Sequence, residues 1–197
     1  MKDQYSLLAP WYSSLVKFIF GQKLKEAKLC FLDDTKSKRV LIIGGGDGLD
    51  YAEIEADISG EYWELSDSML KKAKANLQFS QLDFRLGNFE AGKKFDEVWL
   101  HFVLDTLPDE AIESLLEEIK LALKAGGRIV FADFFRPKNY RQKFLNQVMI
   151  TFFRLVAGHH RKDLPDYSGF FSKKGFSKTE EQRFMEGWVK SQVWRLK

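Results

Sequence analysis

The chain has 197 residues, of which 45% are hydrophobic and 30% charged, and its formal net charge is +3. This is ordinary globular usage rather than disorder, and so small a net charge gives no argument for a nucleic-acid-binding face. A single cysteine, Cys30, excludes an internal disulfide and a cysteine-rich metal site, and we expect no bound metal. No apolar run approaches the ~18 residues of a membrane span. The first residues lack the pattern of a signal peptide, so we expect a cytoplasmic protein.

Hydrophobic periodicity predicts an alternation of strands and helices. In chain order the predicted elements are helix 11–32, strand 39–44, helix 48–57, strand 60–65, helix 67–77, strand 81–86, strand 95–101, helix 109–124 and strand 127–134. An aromatic-rich segment follows over 139–171, and two strands, 177–185 and 188–196, are predicted to form a hairpin around Glu186 and Gly187. Such alternation is typical of a doubly wound parallel sheet.

The turn after the first predicted strand is the most informative motif. The apolar run 40–43, VLII, leads directly into GGGDG over 44–48. The apolar run predicts a strand buried on both faces, and the glycines let a ligand approach the backbone. The third glycine comes one position too early for the dinucleotide fingerprint G-x-G-x-x-G, and no Lys-Ser or Lys-Thr pair follows, as a phosphate-binding P-loop would need.

The spacing of Gly44, Gly46 and Gly48 closely resembles motif I of the class I S-adenosylmethionine-dependent methyltransferases. Three later segments resemble that family's motifs in order: 61–77, where a strand ends in an acidic residue; 86–110, which holds the adenine contact and strand four; and 123–135, the turn into strand five. The resemblance extends over about residues 38–136. It implies a Rossmann-like, doubly wound α/β fold whose sheet has seven strands, the last of them antiparallel.

The resemblance implies one methyltransferase domain over residues 1–197. Its segments are an N-terminal helical segment (1–37), a cofactor-binding core (38–136), a variable acceptor or lid region (137–175) and a C-terminal hairpin (176–197). We expect methyl transfer to a small, apolar or aromatic acceptor, quinone-like or lipid-like, because basic residues are scattered and the motif that grips nucleic-acid bases is missing. A non-catalytic interaction protein that binds the same cofactor is the alternative.

The resemblance also implies where S-adenosylmethionine would bind. The glycine loop would contact its amino-acid end, Glu64 the two ribose hydroxyls, and Asn88 with Phe89 the adenine. Asn88 stands where the family usually has aspartate, but its amide oxygen can still accept a hydrogen bond. The full set of expected contacts is Gly44, Gly45, Gly46, Asp47, Gly48, Glu64, Leu65, Met69, Asn88, Phe89 and His101.

Three side chains are candidates for catalysis. His101 ends the fourth predicted strand, where open α/β sheets bind ligands, and an imidazole is a natural general base; a histidine that simply caps the strand is the alternative. Asp105 follows as a second polar contact or as a residue before the next helix. Tyr12 lies in a segment, 5–21, that resembles the family's quinone and lipid branch, although Ser13 replaces that branch's aspartate; an ordinary apolar helix face is the alternative.

The variable region leaves several interpretations open. A helix predicted over 140–156 mixes aromatic residues with Arg141, Lys143 and Arg154. It could be a packed helix, a lid over an apolar acceptor, or a surface that contacts membrane lipid. His159 and His160 either reach the site or remain solvated. The oligomeric state is not indicated.

Overall fold

The computed structural model describes residues 22–32, 35–147 and 163–197. Within these ranges the helices are α1 (Lys23–Leu29), α2 (Asp67–Asn76), α3 (Asp109–Ala122), α4 (140–147) and α5 (Tyr167–Lys173). The strands are β1 (Arg39–Ile43), β2 (Ser59–Glu64), β3 (Gln81–Leu86), β4 (Phe95–His101), β5 (Leu123–Phe134), β6 (Phe176–Phe184) and β7 (Val189–Leu196). Short 3₁₀ helices cover Leu49–Asp57, Leu104–Thr106 and Met185–Gly187.

The strands form one seven-stranded sheet in the order β3-β2-β1-β4-β5-β7-β6. The neighbouring pairs among β1 to β5 are parallel, whereas β7 is antiparallel to both β5 and β6. This confirms the predicted fold class, including the antiparallel last strand. The strand order reverses between β1 and β4, and in open α/β sheets that point opens a crevice at the carboxyl ends of the strands. We call this side of the sheet the carboxyl edge.

The sheet separates two apolar layers because successive side chains of a strand point to opposite faces. One layer packs strand residues such as Leu41 and Phe131 against α3 and α5. The other packs Ile42, Tyr62 and Trp99 against the 3₁₀ helix Leu49–Asp57. The central strands are therefore buried on both faces, as the apolar run 40–43 predicts.

β1 and β2 meet most closely at Gly60, whose partner in the sheet is Val40. Gly60 has a φ of 138°, and a Cβ added there would lie 1.9 Å from the Val40 carbonyl oxygen. Only glycine allows this backbone geometry without moving one of the two strands.

The segment after the glycine loop is a helix, as predicted over 48–57, and its geometry is that of a 3₁₀ helix, Leu49–Asp57. Three of its acidic side chains form ion pairs with lysines from other segments: Asp50 with Lys28 at 2.7 Å, Glu53 with Lys25 at 2.6 Å and Asp57 with Lys36 at 3.6 Å. The fourth, Glu55, accepts from the Phe79 amide at 2.9 Å.

Several other expectations fall wholly or partly outside the described residues. The helix predicted over 140–156 is described only over 140–147. The helix predicted over 11–32 is described only from residue 22, where α1 covers Lys23–Leu29. Tyr12, His159 and His160 also lie outside the described residues. In the ranges that the structure describes, no helix combines the length and the apolar character needed to cross a membrane.

Candidate cofactor-binding site

The glycine loop between β1 and the following 3₁₀ helix has an open and a closed side. Gly44, Gly46 and Gly48 have φ values of 63°, 69° and 72°. Residues other than glycine rarely adopt this backbone conformation. A Cβ at Gly44 or Gly48 would lie within 3 Å of the Val103 or Leu77 side chain, respectively. A Cβ at Gly46 would meet nothing within 4 Å. Gly46 is therefore the position at which a ligand can approach the loop backbone.

The end of β2 holds this loop in place. The Gly44 amide donates to the Trp63 carbonyl oxygen at 2.8 Å, and the Tyr62 hydroxyl donates to the Gly46 carbonyl oxygen at 3.0 Å. The Gly46 amide donates to Oε2 of Glu64 at 3.0 Å, while Oε1 of the same carboxylate accepts from the Ser66 amide at 2.9 Å. A carboxylate offers about four acceptor positions, so Glu64 can bind the loop and the hydroxyls of a ligand together.

The remaining predicted cofactor contacts differ in exposure. Leu65, directly after β2, is 61% exposed, and Asn88, shortly after β3, is exposed at the same carboxyl edge. Phe89 is buried and packs edge-on against Trp63, with ring centroids 5.6 Å apart. Met69 is half-buried in the first turn of α2, where its amide donates to the Ser66 hydroxyl. Leu65 and Asn88 thus lie at the surface after the ends of β2 and β3, while Phe89 packs in the core against Trp63.

Gly45, Asp47 and Gly48 complete the loop. A Cβ at Gly45 would collide with the Tyr62 hydroxyl, so the loop packs closely over β2 there. The Asp47 carboxylate accepts from the Leu49 amide at 3.2 Å, and its carbonyl oxygen accepts from the Asn76 side chain at 2.9 Å. These bonds join the loop to the 3₁₀ helix and to α2, and they make it a rigid support.

His101 lies at the end of β4, and it is only 3% exposed. Its Nδ1 is 2.8 Å from the Tyr51 hydroxyl, and its ring stacks on Trp99. Its Nε2 is buried and has no hydrogen-bond partner among the described residues. Burial lowers the pKa of His101 well below its ordinary value, and the positive charge of Lys28 lowers it further. The imidazole is therefore neutral at pH 7. Its Nε2 can accept a proton or a hydrogen bond in the tautomer in which Nδ1 carries the proton and donates to the Tyr51 hydroxyl.

A buried carboxylate, Asp133, lies near the carboxyl end of β5, on the opposite face of the sheet from His101. Its Oδ2 accepts from the Asp105 amide at 3.3 Å and its Oδ1 from the Phe134 amide at 2.8 Å. Burial raises the pKa of Asp133 well above its ordinary value, the neighbouring charge of Asp105 raises it further, and a hydrogen bond from Tyr167 opposes the rise. Asp133 is not among the site residues predicted from the sequence. A single carboxylate inside the apolar run IVFADFF was the signal that could have found it.

The described residues offer no arrangement for a metal. In 22–32, 35–147 and 163–197 there is no group of three or more His, Cys, Asp or Glu side chains that could hold a metal ion. The site is instead built from backbone amides, one carboxylate and exposed apolar surface. Such a set suits an uncharged ribose and an aromatic base.

The strand order, the glycine loop after β1 and the acidic residue at the end of β2 together define an α/β protein that binds a nucleoside-containing cofactor. A family model described as an O-methyltransferase domain matches residues 23–177. The chain belongs to this family, and it is an S-adenosylmethionine-dependent methyltransferase of class I. Among curated proteins, none matches the chain.

Solved structures share the fold at low sequence identity. DhpI in complex with SAH matches with a TM-score of 0.68 and 14% identity, over 98% of this chain and 93% of that one. The mitomycin 7-O-methyltransferase MmcR matches with a TM-score of 0.71 and 18% identity, over 98% of this chain but only 60% of MmcR. A complex between the Haloferax volcanii Trm112 methyltransferase activator and a methyltransferase gives a TM-score of 0.74 and 16% identity, over 98% of each chain.

The geometry of the glycine loop fits S-adenosylmethionine. The open space at Gly46 leaves room for the cofactor beside the loop. The Glu64 carboxylate, which binds the Gly46 amide at 3.0 Å, has further acceptor positions for the ribose hydroxyls. Leu65 and Asn88 offer an apolar and a polar contact on the exposed side, where an adenine could lie. The individual contacts stay predictions.

Proposed function

We propose that the chain transfers a methyl group from S-adenosylmethionine to a small apolar or aromatic acceptor, quinone-like or lipid-like, at a hydroxyl group. The observation that carries the proposal is the Gly46 amide held by Glu64 at the open side of the loop, 3.0 Å apart. The matched family is described as an O-methyltransferase domain, which favours a hydroxyl acceptor. MmcR is named for a reaction on mitomycin, and PhzM, another structure of this fold, for pyocyanin biosynthesis. Both names favour small molecules over nucleic acids.

The chain's own contribution is mainly positioning. When bound, S-adenosylmethionine supplies a methyl group that its sulfonium has already activated. The glycine loop follows β1 and Glu64 ends β2, and these two strands are neighbours in the sheet. The amino-acid end and the ribose of the cofactor are therefore held at a fixed separation. Holding two reactants in line can supply roughly 7–11 kcal/mol of an activation barrier. No covalent intermediate with the protein is needed.

A hydroxyl acceptor must also lose a proton, and we assign His101 to receive it. Its neutral imidazole carries a buried Nε2 that has no partner among the described residues, and such an atom in a folded protein calls for an explanation. Asp105, half-buried at the carboxyl edge, is the second candidate. Tyr12 stays a prediction from the sequence, as does the quinone branch to which its segment bears a resemblance.

Calorimetry with S-adenosylmethionine and with its demethylated product tests the first half of the proposal. We expect both to bind well below millimolar concentration, and binding of neither at that concentration would refute it. Transfer from methyl-labelled cofactor to extracted small molecules tests the second half. Cofactor binding without transfer to any acceptor would favour the alternative, a non-catalytic cofactor-binding protein.

A further inference from the structure

Basic residues are spread along the whole chain, but acidic residues are missing from one segment of it. Residues 134–162 contain seven Lys and Arg but no Asp or Glu, although the whole chain has 31 basic and 28 acidic residues. The rest of the chain consequently has more acidic than basic residues. Arg136, Lys138, Arg141 and Lys143 are the basic residues of this segment that the structure describes, and all four are exposed. A local charge of this sign attracts an anionic surface.

The helix α4 within this segment directs aromatic rings to its outer face. Tyr140 is 89% and Phe144 69% exposed, and they lie one helical turn apart. Arg141 and Lys143 are exposed beside them, and the Lys143 ammonium lies 5.6 Å from the centre of the Tyr140 ring. We call these four residues the α4 face. A surface helix usually buries its aromatic side chains against the core, whereas α4 exposes them to solvent.

The opposite side of α4 is firmly attached to the protein. The side chain of Gln142 is buried and donates to the Met185 carbonyl oxygen at 3.1 Å, and it accepts from the Lys138 amide at 2.7 Å. Asn139, at the start of the helix, donates to the carboxylate of Glu186 at 3.0 Å. These contacts set the orientation of the helix on the β6–β7 turn. The outward direction of the aromatic rings is therefore built into the fold.

We propose that the α4 face binds the surface of an anionic lipid membrane. Its cations would meet the phosphate and carboxylate groups of the lipids, while Tyr140 and Phe144 enter the boundary between head groups and acyl chains, as in interfacial amphipathic helices. A lipid surface fits better than an acidic protein because exposed cations and exposed aromatic rings share one helix face, a combination typical of helices that lie in the membrane interface. This inference goes beyond the proposed function and does not depend on it.

Sedimentation of the whole protein with vesicles tests the proposal. We expect binding to vesicles of phosphatidylcholine with phosphatidylserine, weak binding to phosphatidylcholine alone, and release by high salt. Arg141→Glu with Lys143→Glu should reduce binding by at least about tenfold, since each cation near an anionic surface is worth ~1 kcal/mol. Tyr140→Ser with Phe144→Ser should reduce it by about tenfold as well.

Two matched variants separate this face from general charge and hydrophobicity. Lys72→Glu with Lys74→Glu makes the same change of charge on exposed positions of α2, and Phe79→Ser removes a ring that is 71% exposed. Both should bind vesicles like the wild type, and all variants should keep the wild-type circular dichroism spectrum. No binding to the anionic vesicles, equal binding to both lipid compositions, or equal losses in the matched variants would overturn the proposal. An acidic protein partner without vesicle binding would do so too.

Discussion

The Nδ1 atom of His101 lies 2.8 Å from the hydroxyl oxygen of Tyr51, and this bond joins the end of β4 to the 3₁₀ helix behind the glycine loop. Both side chains are buried. Burial raises the pKa of Tyr51 well above its ordinary value and lowers that of His101, so neither group is charged at neutral pH. The contact links the end of β4, where we propose that the acceptor binds, to the 3₁₀ helix that follows the glycine loop.

Replacing His101 by alanine should lower turnover while leaving cofactor affinity within a few-fold, because the glycine loop and Glu64 are unchanged. Steady-state kinetics with calorimetry would measure both quantities. Tyr51→Phe is the matched control, since it keeps the imidazole and removes only its partner; it should cost ~1–3 kcal/mol of stability with a smaller loss of turnover. Normal turnover in His101→Ala, or collapsed cofactor binding with the fold intact, would assign His101 another role.

Asp133→Asn should stabilise the protein at neutral pH. The folded state raises the pKa of Asp133, so it binds a proton more tightly than the unfolded chain, and stability falls as the pH rises above about 4 towards the folded pKa. Asparagine removes this penalty and keeps an oxygen for the Phe134 amide. Urea unfolding at several pH values should show a gain that grows from acid to neutral pH. A gain that stays the same from acid to neutral pH would contradict the assignment.

Gly46→Ala should weaken S-adenosylmethionine binding by about tenfold or more, because the new methyl group enters the open space that we assign to the ligand. Gly126→Ala is the control: it has a similar φ of 76° and equally open surroundings, but it lies in the irregular part of β5 between the paired residues Leu123 and Arg128. Both variants should lose about 1 kcal/mol of stability from backbone strain. If titration calorimetry gives the two variants the same cofactor affinity, the ligand does not approach Gly46.

Glu64→Gln should reduce the affinity for both the cofactor and its demethylated product by at least about tenfold. The amide has one acceptor oxygen instead of two, and so it cannot serve the loop, Ser66 and two ribose hydroxyls at once. Asp67→Asn makes the same change of charge three residues further on, at an exposed position, and should bind like the wild type. Binding by Glu64→Gln that equals the control's would place the ribose elsewhere.

The parts of the molecule that could be predicted from the sequence are those that local pattern determines. The buried strand β1, the glycine turn and the acidic end of β2 each lie within a few residues, and the hairpin at Glu186 and Gly187 is marked by its own turn residues. The bond between Tyr51 and His101 joins positions 50 residues apart, and Asp133 meets Tyr167 only through packing on the sheet. Contacts of this kind depend on the tertiary fold. A helix over 48–57 was predicted, but the sequence pattern does not distinguish the 3₁₀ geometry of Leu49–Asp57 from an α-helix.

The absence of a side chain at Gly60 affects the geometry at the opposite ends of β1 and β2, where the glycine loop and Glu64 lie. β2 runs from this point to Glu64, a distance of roughly 13 Å, and β1 runs beside it into the glycine loop. A side chain at Gly60 would collide with the Val40 carbonyl oxygen and change the angle between the two strands. The 3.0 Å bond between the Glu64 carboxylate and the Gly46 amide, which we propose to lie beside the cofactor, would then lengthen. Gly60, which lies away from the predicted cofactor contacts, thus sets the spacing between Glu64 and the glycine loop.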